Sequence, residues 1–417
     1  MAVSTGPVPG GDVGGDPVPL LEPRDGVPDP LTDPDGLADA IRRFAAGSGP
    51  VAIDAERASG YRYTQRAYLV QLRRHGVGTV LVDPTALPDL SGLSAAIADA
   101  EWVLHAASQD LACLAEVGLR PRRLFDTELA GRLLGYPRVG LGIMVEEQLG
   151  LRLEKGYSAA DWSTRPLPRS WLAYAALDVE VLVELRDLLE AQLVAQGKLD
   201  WAREEFEATM SAPPPPPRTD PWRRTSGMHK VRNRRQLAEL RALWQTRDTI
   251  ARDRDLAPGR VLPDSAIVAA VLAHPRTSDE LLALPVFGGR NTRRLVHRWW
   301  RALTEARALD DSALPRQTVP SDAPPPANRW ADRDPDAAAR LASARTALAT
   351  IAEQNSLPVE NLLPPDVVRR LAWTPPEAPR ADTVSAQLLS RGARSWQVDL
   401  TAHALANAMS ARAPETG

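Results

Sequence analysis

The sequence predicts an α/β domain followed by two all-helical domains, and three observations support this division. In the first half of the 417-residue chain, short apolar runs alternate with segments of helical periodicity. Proline-rich stretches at 213–217 and 320–326 are typical of extended linkers. Helical periodicity alone continues after each linker. We therefore expect a leader at 1–30, an α/β domain at 31–210, linkers at 211–224 and 311–327, and helical domains at 225–310 and 328–412.

The composition is that of a soluble globular protein, with 25% charged and 44% hydrophobic residues and a net charge of −3. Any nucleic-acid site must therefore come from local segregation of charge. The single cysteine, Cys113, excludes a disulfide partner and favours the reducing cytoplasm. No apolar run approaches the roughly 20 residues of a membrane span. The Gly-, Pro- and Asp-rich leader lacks the features of a signal peptide and is expected to be disordered.

The elements of the α/β domain are predicted in chain order. A helix at 35–44 precedes strands at 51–54, 67–72 and 79–82. A turn at His75-Gly76 joins the last two strands, and such close strands favour an antiparallel meander. Alternating elements follow, with a helix at 93–100, a strand at 102–104 and helices at 109–116, 127–134, about 140–149 and 168–195. This order predicts a mixed sheet flanked by helices.

Both later domains are expected to consist of helices in a similar order. The middle domain has helical periodicity at 233–254, 264–272, 278–284 and 291–303. The last domain has it at 337–355, 364–372, 383–389 and 396–409. The repeated order leads to the hypothesis that the last domain is a diverged second copy.

Four acids and one tyrosine of the first domain are candidates for chemistry. Asp54 and Glu56 end a predicted strand one residue apart, so their side chains share a face. Tyr174 and Asp178 are four residues apart on a predicted helix and also share a face. Asp110 opens a helix. Taken singly, strand-end acids are often only solvated, Asp110 could be a helix cap, and the Tyr-Asp pair could belong to an ordinary amphipathic helix. Asp54, however, follows an apolar run, and an acid near a core needs a partner such as a cation.

The order of these residues resembles the DEDD exonuclease superfamily and, through the tyrosine, its DEDDy branch. The surrounding text is similar to ribonuclease D over about 170 residues. The resemblance implies an RNase H-like sheet. It rests on Asp54-Ala-Glu56-Arg57-Ala-Ser-Gly-Tyr61-Arg-Tyr63, Leu69-Val-Gln-Leu72, Val103-Leu-His105-Ala-Ala-Ser-Gln-Asp110, Phe125-Asp126-Thr127 and Asp161-Trp162-Ser-Thr-Arg165-Pro166.

The resemblance implies two divalent metal ions, Mg²⁺ or Mn²⁺, which prefer oxygen ligands. Asp54 would bridge both ions, Glu56 and Asp178 would hold the ion that activates water, and Asp110 would support the second ion directly or through water. Tyr174 would orient the attacking water, and the product would be a nucleoside 5′-monophosphate. Two ions about 3.5–4 Å apart can both activate a water and stabilise the leaving oxygen.

Several residues near these motifs are candidate substrate contacts with open alternatives. Tyr61, Tyr63 and Gln65 follow the first motif, where the aromatic rings could stack on a terminal base or pack against the sheet. His105 could be structural or lie close to the site. Lys155 could contact a phosphate or occur there by chance.

The middle domain is locally basic and resembles an HRDC domain. Residues 227–307 contain 16 Lys or Arg against 8 Asp or Glu, an excess of about 8 positive charges that favours phosphate contact. The basic candidates are Lys230, Arg290, Arg293 and Arg294. The text at 237–248, 262–264 and 281–289 carries the resemblance to HRDC, a module of ribonuclease D and RecQ-type helicases, which implies nucleic-acid binding. The last domain is similar to a degenerate second HRDC domain. It could serve as a scaffold or as a binding surface.

The sequence thus predicts a metal-dependent 3′→5′ exoribonuclease that trims the 3′ ends of tRNA precursors or other structured RNAs. One alternative is a 3′→5′ DNA exonuclease, because nothing in the motifs reads the 2′-hydroxyl. Another is a non-catalytic RNA-binding adaptor. The complete set of acids argues against the adaptor, because carboxylates buried together without a cation repel one another.

Overall fold

The central element of the first domain is a five-stranded mixed sheet. It is seen in a computed structural model that describes residues 16–154, 156–287, 289–318 and 322–413. The strands, including a separate pair formed by the first and last, are β1 Val18–Leu20, β2 Ser48–Arg57, β3 Ala67–His75, β4 Gly78–Val82, β5 Trp102–Leu104, β6 Leu124–Asp126 and β7 Leu151–Leu153.

The sheet has the order β4-β3-β2-β5-β6. Strands β2, β3 and β4 form the predicted antiparallel meander, whereas β5 and β6 run parallel to β2. The β3–β4 turn contains Gly76 and Gly78 with φ of +76° and +82°, a conformation that glycine adopts without strain. The predicted mixed sheet is confirmed.

The α-helices in the described part of the first domain surround this sheet. The helix expected at 168–195 is divided at Val181, because its two halves pack on different partners: α6 lies against β2, β3 and β4, and α7 lies against β2, β5 and α4. The helices are α1 Pro34–Ala46, α2 Ser91–Ala96, α3 Leu111–Glu116, α4 Thr127–Leu133, α5 Leu141–Leu149, α6 Arg169–Glu180, α7 Leu182–Ala195 and α8 Leu199–Ser211.

The prediction of a disordered leader is wrong for residues 16–30. Strand β1 pairs in parallel with β7, and Val27 is buried. Arg24 forms an ion pair with Glu184, and Asp25 lies 3.0 Å from Arg73. Composition alone predicted disorder because the contacts that order this segment come from residues far along the chain. Residues 1–15 lie outside the described part.

The middle domain has its own apolar core, which includes Leu240, Leu243, Phe287 and Trp299. The helix expected at 291–303 is divided, and the Trp299 indole N–H donates to the Thr292 carbonyl across the break at 3.3 Å. The helices are α9 Arg234–Asp253, α10 Pro258–Val261, α11 Asp264–Ala273, α12 Ser278–Leu282, α13 Arg290–Arg293 and α14 Val296–Arg307.

The last domain repeats the beginning of this helix order. Its first long helix has 20 residues and is followed by a helix of four, as in the middle domain. This order favours the second-copy hypothesis, which stays a prediction. The helices are α15 Trp330–Arg333, α16 Pro335–Gln354, α17 Val359–Leu362, α18 Pro365–Trp373, α19 Ala381–Ser390 and α20 Ser395–Ala408. In the described ranges, no helix has both the length and the apolar character that crossing a membrane requires.

The last domain packs on the first through a continuous apolar core. Trp396 stacks on Trp201 with ring centroids 5.0 Å apart, and its indole N–H donates to Glu205 at 3.1 Å. The backbone of Gly135 approaches Ser356 so closely that a Cβ at position 135 would lie 2.4 Å from the Ser356 carbonyl oxygen. The two domains therefore form one buried interior.

Candidate active site

Three of the predicted acids meet where β2 passes beneath α6. Asp54 and Glu56 project from one face of β2, and α6 packs on that face and carries Asp178. Carboxylate oxygens of the three residues lie within 4.8 Å of one another. The strand spacing and the helix spacing recognised in the sequence thus produce one cluster.

The cluster concentrates negative charge away from water. Burial, and then the charges of Asp54, Asp178 and Asp110, raise the pKa of Glu56 to about 10. Burial is also the main reason that the pKa values of Asp54 and Asp178 are raised. In the described residues, no basic nitrogen lies within 4.0 Å of a carboxylate oxygen of these three acids. The charge of Arg57 lowers the pKa values of Asp54 and Glu56 by less than burial raises them. A set of hard oxygen donors with so little protein counter-charge fits a divalent cation.

Asp110 lies next to this cluster at the start of α3. Its side chain makes no capping hydrogen bond, so the helix-cap alternative does not account for it. Burial and the charge of Asp54 raise the pKa of Asp110 to about 8. An Arg57 nitrogen lies 3.4 Å from its carboxylate, which makes Arg57 the nearest protein counter-charge. Asp110 is thus a buried acid that a cation could hold in the charged form.

Asp126 fixes the turn that leads to Asp110, a role that the sequence did not reveal. Its carboxylate accepts the backbone N–H groups of Ala106 at 3.0 Å and Ala107 at 2.8 Å, and it also caps α4. Ala106 adopts a left-handed φ of 59°. Two backbone hydrogen bonds to this buried carboxylate thus hold the turn in place, and two more hold the start of α4. The sequence signal that could have revealed this role is Phe-Asp-Thr directly before a predicted helix, because Asp is a preferred N-cap residue.

Tyr174 stands one helical turn before Asp178, with its ring held by other aromatic residues. The Tyr157 ring meets it edge-on at 5.9 Å, and Trp162 lies at 6.5 Å. The Trp162 indole donates to the Tyr157 carbonyl at 3.2 Å, which links the two rings that hold Tyr174. Burial and the charges of Asp178, Glu56 and Asp54 raise the pKa of Tyr174. Its hydroxyl therefore stays protonated at neutral pH.

Comparison with known proteins assigns the chain to a family. Family models described as 3′-5′ exonuclease, HRDC domain and 3′ to 5′ exonuclease C-terminal domain match residues 28–194, 236–303 and 323–409. Ribonuclease D of Gluconacetobacter diazotrophicus is 33% identical over 316 residues, which are 72% of this chain and 78% of the relative. The chain belongs to the ribonuclease D family.

Solved structures agree with this assignment. A protein from Bifidobacterium adolescentis matches with a TM-score of 0.87 and 38% identity over 94% of this chain and 99% of that one. Escherichia coli ribonuclease D, described as an exoribonuclease involved in structured RNA processing, matches with a TM-score of 0.66 and 27% identity over 91% and 97% of the two chains. The predicted family, fold class and 3′→5′ exoribonuclease activity are confirmed. Exonucleases of this family depend on metal, and the carboxylate cluster is consistent with that.

In this member of the ribonuclease D family, Tyr61 and Tyr63 contact the middle domain. The guanidinium of Arg260 lies 3.9 Å from the centre of the Tyr61 ring. The Tyr63 hydroxyl donates to Asp248 at 3.0 Å, and its backbone N–H donates to Asp255 at 3.2 Å. These contacts provide a structural role for both rings that neither open alternative described. Their contact with substrate remains only a prediction.

The remaining candidates of the first domain divide into three cases. Gln65 is exposed and accepts the Ser59 hydroxyl at 2.7 Å. His105 lies 2.9 Å from the Thr127 hydroxyl, and burial lowers the pKa of its ring to about 4. A neutral, partly buried histidine that contacts Thr127 favours the structural alternative. Lys155 lies outside the described residues.

The basic candidates of the middle domain are exposed. Lys230, Arg290, Arg293 and Arg294 have no carboxylate within 4.0 Å among the described residues. Other arginines of the basic runs are occupied differently: Arg234 donates to the carbonyls of Asp311 at 2.9 Å and Leu314 at 2.8 Å, along the start of the second linker. The basic residues of the middle domain therefore include exposed side chains without an acidic partner and arginines that donate to backbone carbonyls.

The raised pKa values predict that the metal-free protein loses stability as the pH rises. The pKa of Glu56 is about 10 in the folded protein, compared with an ordinary value of 4.5, so folding favours the protonated acid. The stability that this preference contributes is present at low pH and is lost as the pH rises from 4.5 to about 10. We expect a higher melting temperature at about pH 5.5 than at about pH 8 with chelator, and a smaller difference with Mg²⁺.

A Glu56→Gln variant provides the control, because Gln cannot titrate. The lowered pKa of His105 makes the folded protein less stable at acid pH, which opposes the effect of Glu56. Because this contribution is the same in both proteins, the difference between their pH dependences comes from Glu56. An identical pH dependence in the wild type and the variant would contradict the electrostatic account of this site.

Proposed function

We propose that the protein removes nucleotides one at a time from RNA 3′ ends, using two Mg²⁺ or Mn²⁺ ions held by Asp54, Glu56, Asp110 and Asp178. The cluster of Asp54, Glu56 and Asp178 supports this most directly, because its oxygens converge within 4.8 Å and no basic nitrogen of the described residues lies within 4.0 Å of them. The two alternative functions, a DNA exonuclease and an RNA-binding adaptor, have no comparable support.

The arrangement suggests how the acids would divide between the ions. The charge of Asp54 raises the pKa of Glu56, Asp178 and Asp110, so Asp54 is the acid that all three others share as a neighbour. Asp54 would therefore hold both ions, while Glu56 and Asp178 would hold one of them and Asp110 the other. When bound, such ions supply an activated water and stabilise the leaving oxygen.

Tyr174 would orient the attacking water. Since its pKa is raised, it keeps its proton and cannot act as a general base at neutral pH. A protonated hydroxyl one turn from Asp178 can donate to a water oxygen and direct a lone pair toward the phosphorus. The aromatic contacts of Tyr157 and Trp162 restrict the ring to one orientation.

The substrates that we propose are structured RNAs, with tRNA precursors as the first candidates. The support is the description of the Escherichia coli relative as acting in structured RNA processing. The buried, unpaired Cys113 is compatible with the cytoplasm as the compartment. The exposed Lys230, Arg290, Arg293 and Arg294 would contact phosphates of the RNA body while its 3′ end enters the carboxylate site.

The test is incubation with a 5′-labelled single-stranded RNA and with the matching DNA, each with Mg²⁺, Mn²⁺ or a chelator. A metal-dependent ladder that shortens the RNA from its 3′ end supports the proposal. A ladder mainly on DNA would replace it with the DNA exonuclease. RNA binding without degradation under any metal condition would replace it with the adaptor.

The proposed phosphate contacts predict a weaker salt dependence in a charge variant. Replacing Arg290, Arg293 and Arg294 together by Gln should weaken RNA binding. For each phosphate that the variant no longer neutralises, the slope of log affinity against log salt should become less steep by about 0.7 for single-stranded RNA. The dissociation constant at several salt concentrations measures both effects.

A matched variant changes three exposed arginines of the last domain, Arg333, Arg345 and Arg391, to Gln. It alters the net charge equally, so a general electrostatic effect would appear in both variants. A wild-type slope in the middle-domain variant would exclude the proposed contact by the middle domain.

A further inference from the structure

Gln71 is an anomaly in the middle of the sheet. It is fully buried, and neither the nitrogen nor the oxygen of its side-chain amide has a hydrogen-bond partner. Its neighbours along β3, Val70 and Leu72, belong to the apolar core. A buried amide without partners destabilises the fold, and an apolar side chain of similar size would avoid this. The amide therefore calls for an explanation.

The strand register places Gln71 beside the carboxylate cluster. In the antiparallel pairing of β2 and β3, Gln71 stands directly opposite Asp54. Side chains of directly opposite residues share a face, with Cβ atoms about 5 Å apart. Helix α6 covers this face and brings Asp178 to it. The unpartnered amide thus lies next to an acid of the proposed metal site.

Other possible partners on this face do not serve the amide. On β4, the other strand that pairs with β3, the residue opposite Gln71 is the apolar Leu81. Two residues along β3, Arg73 is a donor already held by Glu180 at 3.0 Å and Thr79 at 2.8 Å. The acceptors that face it from β2 are the Asp54 carboxylate, which stands directly opposite, and the Glu56 carboxylate, which lies diagonally, two residues farther along β2. Asp54 is therefore the nearer acceptor in the register.

We infer that Gln71 is a positioning residue for the metal site: its amide N–H, which has no partner among the described residues, would donate to the Asp54 carboxylate when the ions bind and hold it in the orientation that binds them. This inference rests on the proposed function of the cluster. A carboxylate has about four lone-pair positions, so Asp54 can accept this hydrogen bond while it binds cations. A neutral amide orients the acid without adding a positive charge, whereas Lys or Arg at position 71 would compete with the ions for it.

The decisive variant is Gln71→Met, which keeps the length of the side chain and removes its donors. The metal-free melting temperature should stay the same or rise, because the unpartnered amide is gone. The rise in melting temperature on adding Mn²⁺ should shrink, and the dissociation constant for Mn²⁺, measured by titration calorimetry, should increase about tenfold. Gln71→Leu is the second variant if Met packs poorly.

Gln397→Met is the matched control. Gln397 is also buried, but its amide donates to the Asn361 carbonyl at 2.9 Å and accepts the Arg394 N–H at 2.9 Å. This control should lower the metal-free melting temperature and leave the Mn²⁺ affinity unchanged.

The outcomes separate the inference from the proposed function. Wild-type Mn²⁺ affinity in both Gln71 variants, or a lower metal-free melting temperature with normal affinity, would overturn the positioning role and leave the metal site intact. A wild-type protein that binds no Mn²⁺ would overturn the metal site together with the inference.

Discussion

The Asp54→Asn variant is expected to lose ribonuclease activity by about a thousandfold or more while keeping its fold. Asp54 lies beside the other acids of the cluster, and an amide lacks the negative charge that would bind two cations. Metal ions contribute several kcal/mol to transition-state stabilisation, and each 1.4 kcal/mol is about tenfold in rate. The turnover number on labelled RNA, with circular dichroism as a check of the fold, measures this effect.

The fold should survive because the charge of Asp54 destabilises the metal-free cluster. Burial raises the pKa of Asp54 by more than the Ala55 backbone N–H and the charge of Arg57 lower it, so a neutral side chain of the same shape removes an unfavourable charge. The melting temperature of the metal-free variant should therefore equal or exceed that of the wild type.

Glu239→Gln is the matched control for this variant. Glu239 is a fully buried acid, but it belongs to the middle domain and pairs with Arg307 at 3.0 Å. Its replacement should lower the melting temperature and change the turnover number of a short RNA less than about threefold, since a broken buried ion pair affects stability. Substantial turnover in Asp54→Asn would refute the assignment of this acid to the ions.

The second large effect is expected from Gly135→Ala at the contact between the first and last domains. Gly135 has a φ of +83°, which an alanine adopts only with strain. The added Cβ would also lie 2.4 Å from the Ser356 carbonyl oxygen, a backbone atom that cannot rotate away. Strain and overpacking together amount to about 2–5 kcal/mol. We expect the melting temperature to fall by roughly 5–15 °C.

Gly392→Ala separates the two causes. Gly392 has a φ of +86°, but an added Cβ would meet nothing within 4 Å. Its replacement therefore carries the backbone strain without the collision. The difference in melting temperature between the two alanine variants measures the collision at the domain contact, and limited proteolysis should show the last domain released only in Gly135→Ala. Equal effects would mean that the domains do not meet at Gly135.

Local patterns predicted the sheet and the main acids well. The spacing of Asp54 and Glu56 on a strand, and of Tyr174 and Asp178 on a helix, fixes which side chains share a face before any tertiary structure is known. Only the packing of α6 on β2 brings the two pairs together, and the resemblance to ribonuclease D supplied that step.

Features that depend on distant partners could not be predicted in this way. The segment around Val27 has the composition of a disordered leader, yet it is ordered by Glu184, Arg73 and the pairing of β1 with β7. Tyr63 follows the first motif closely, but its hydroxyl partner, Asp248, lies 185 residues later. The absence of a partner for Gln71 likewise becomes visible only when its surroundings are known.

The interior shared by the first and last domains has a consequence for protein synthesis. Phe206 near the end of the first domain and Trp330, Leu348 and Leu405 in the last belong to one apolar core. The roughly 200 residues that separate α8 from the end of α20 take on the order of 10–40 s to translate. During that interval the helices that cover the surface around Trp201 and Gly135 are not yet available, so we expect the nascent first domain to expose this apolar surface until its carboxyl-terminal helices arrive.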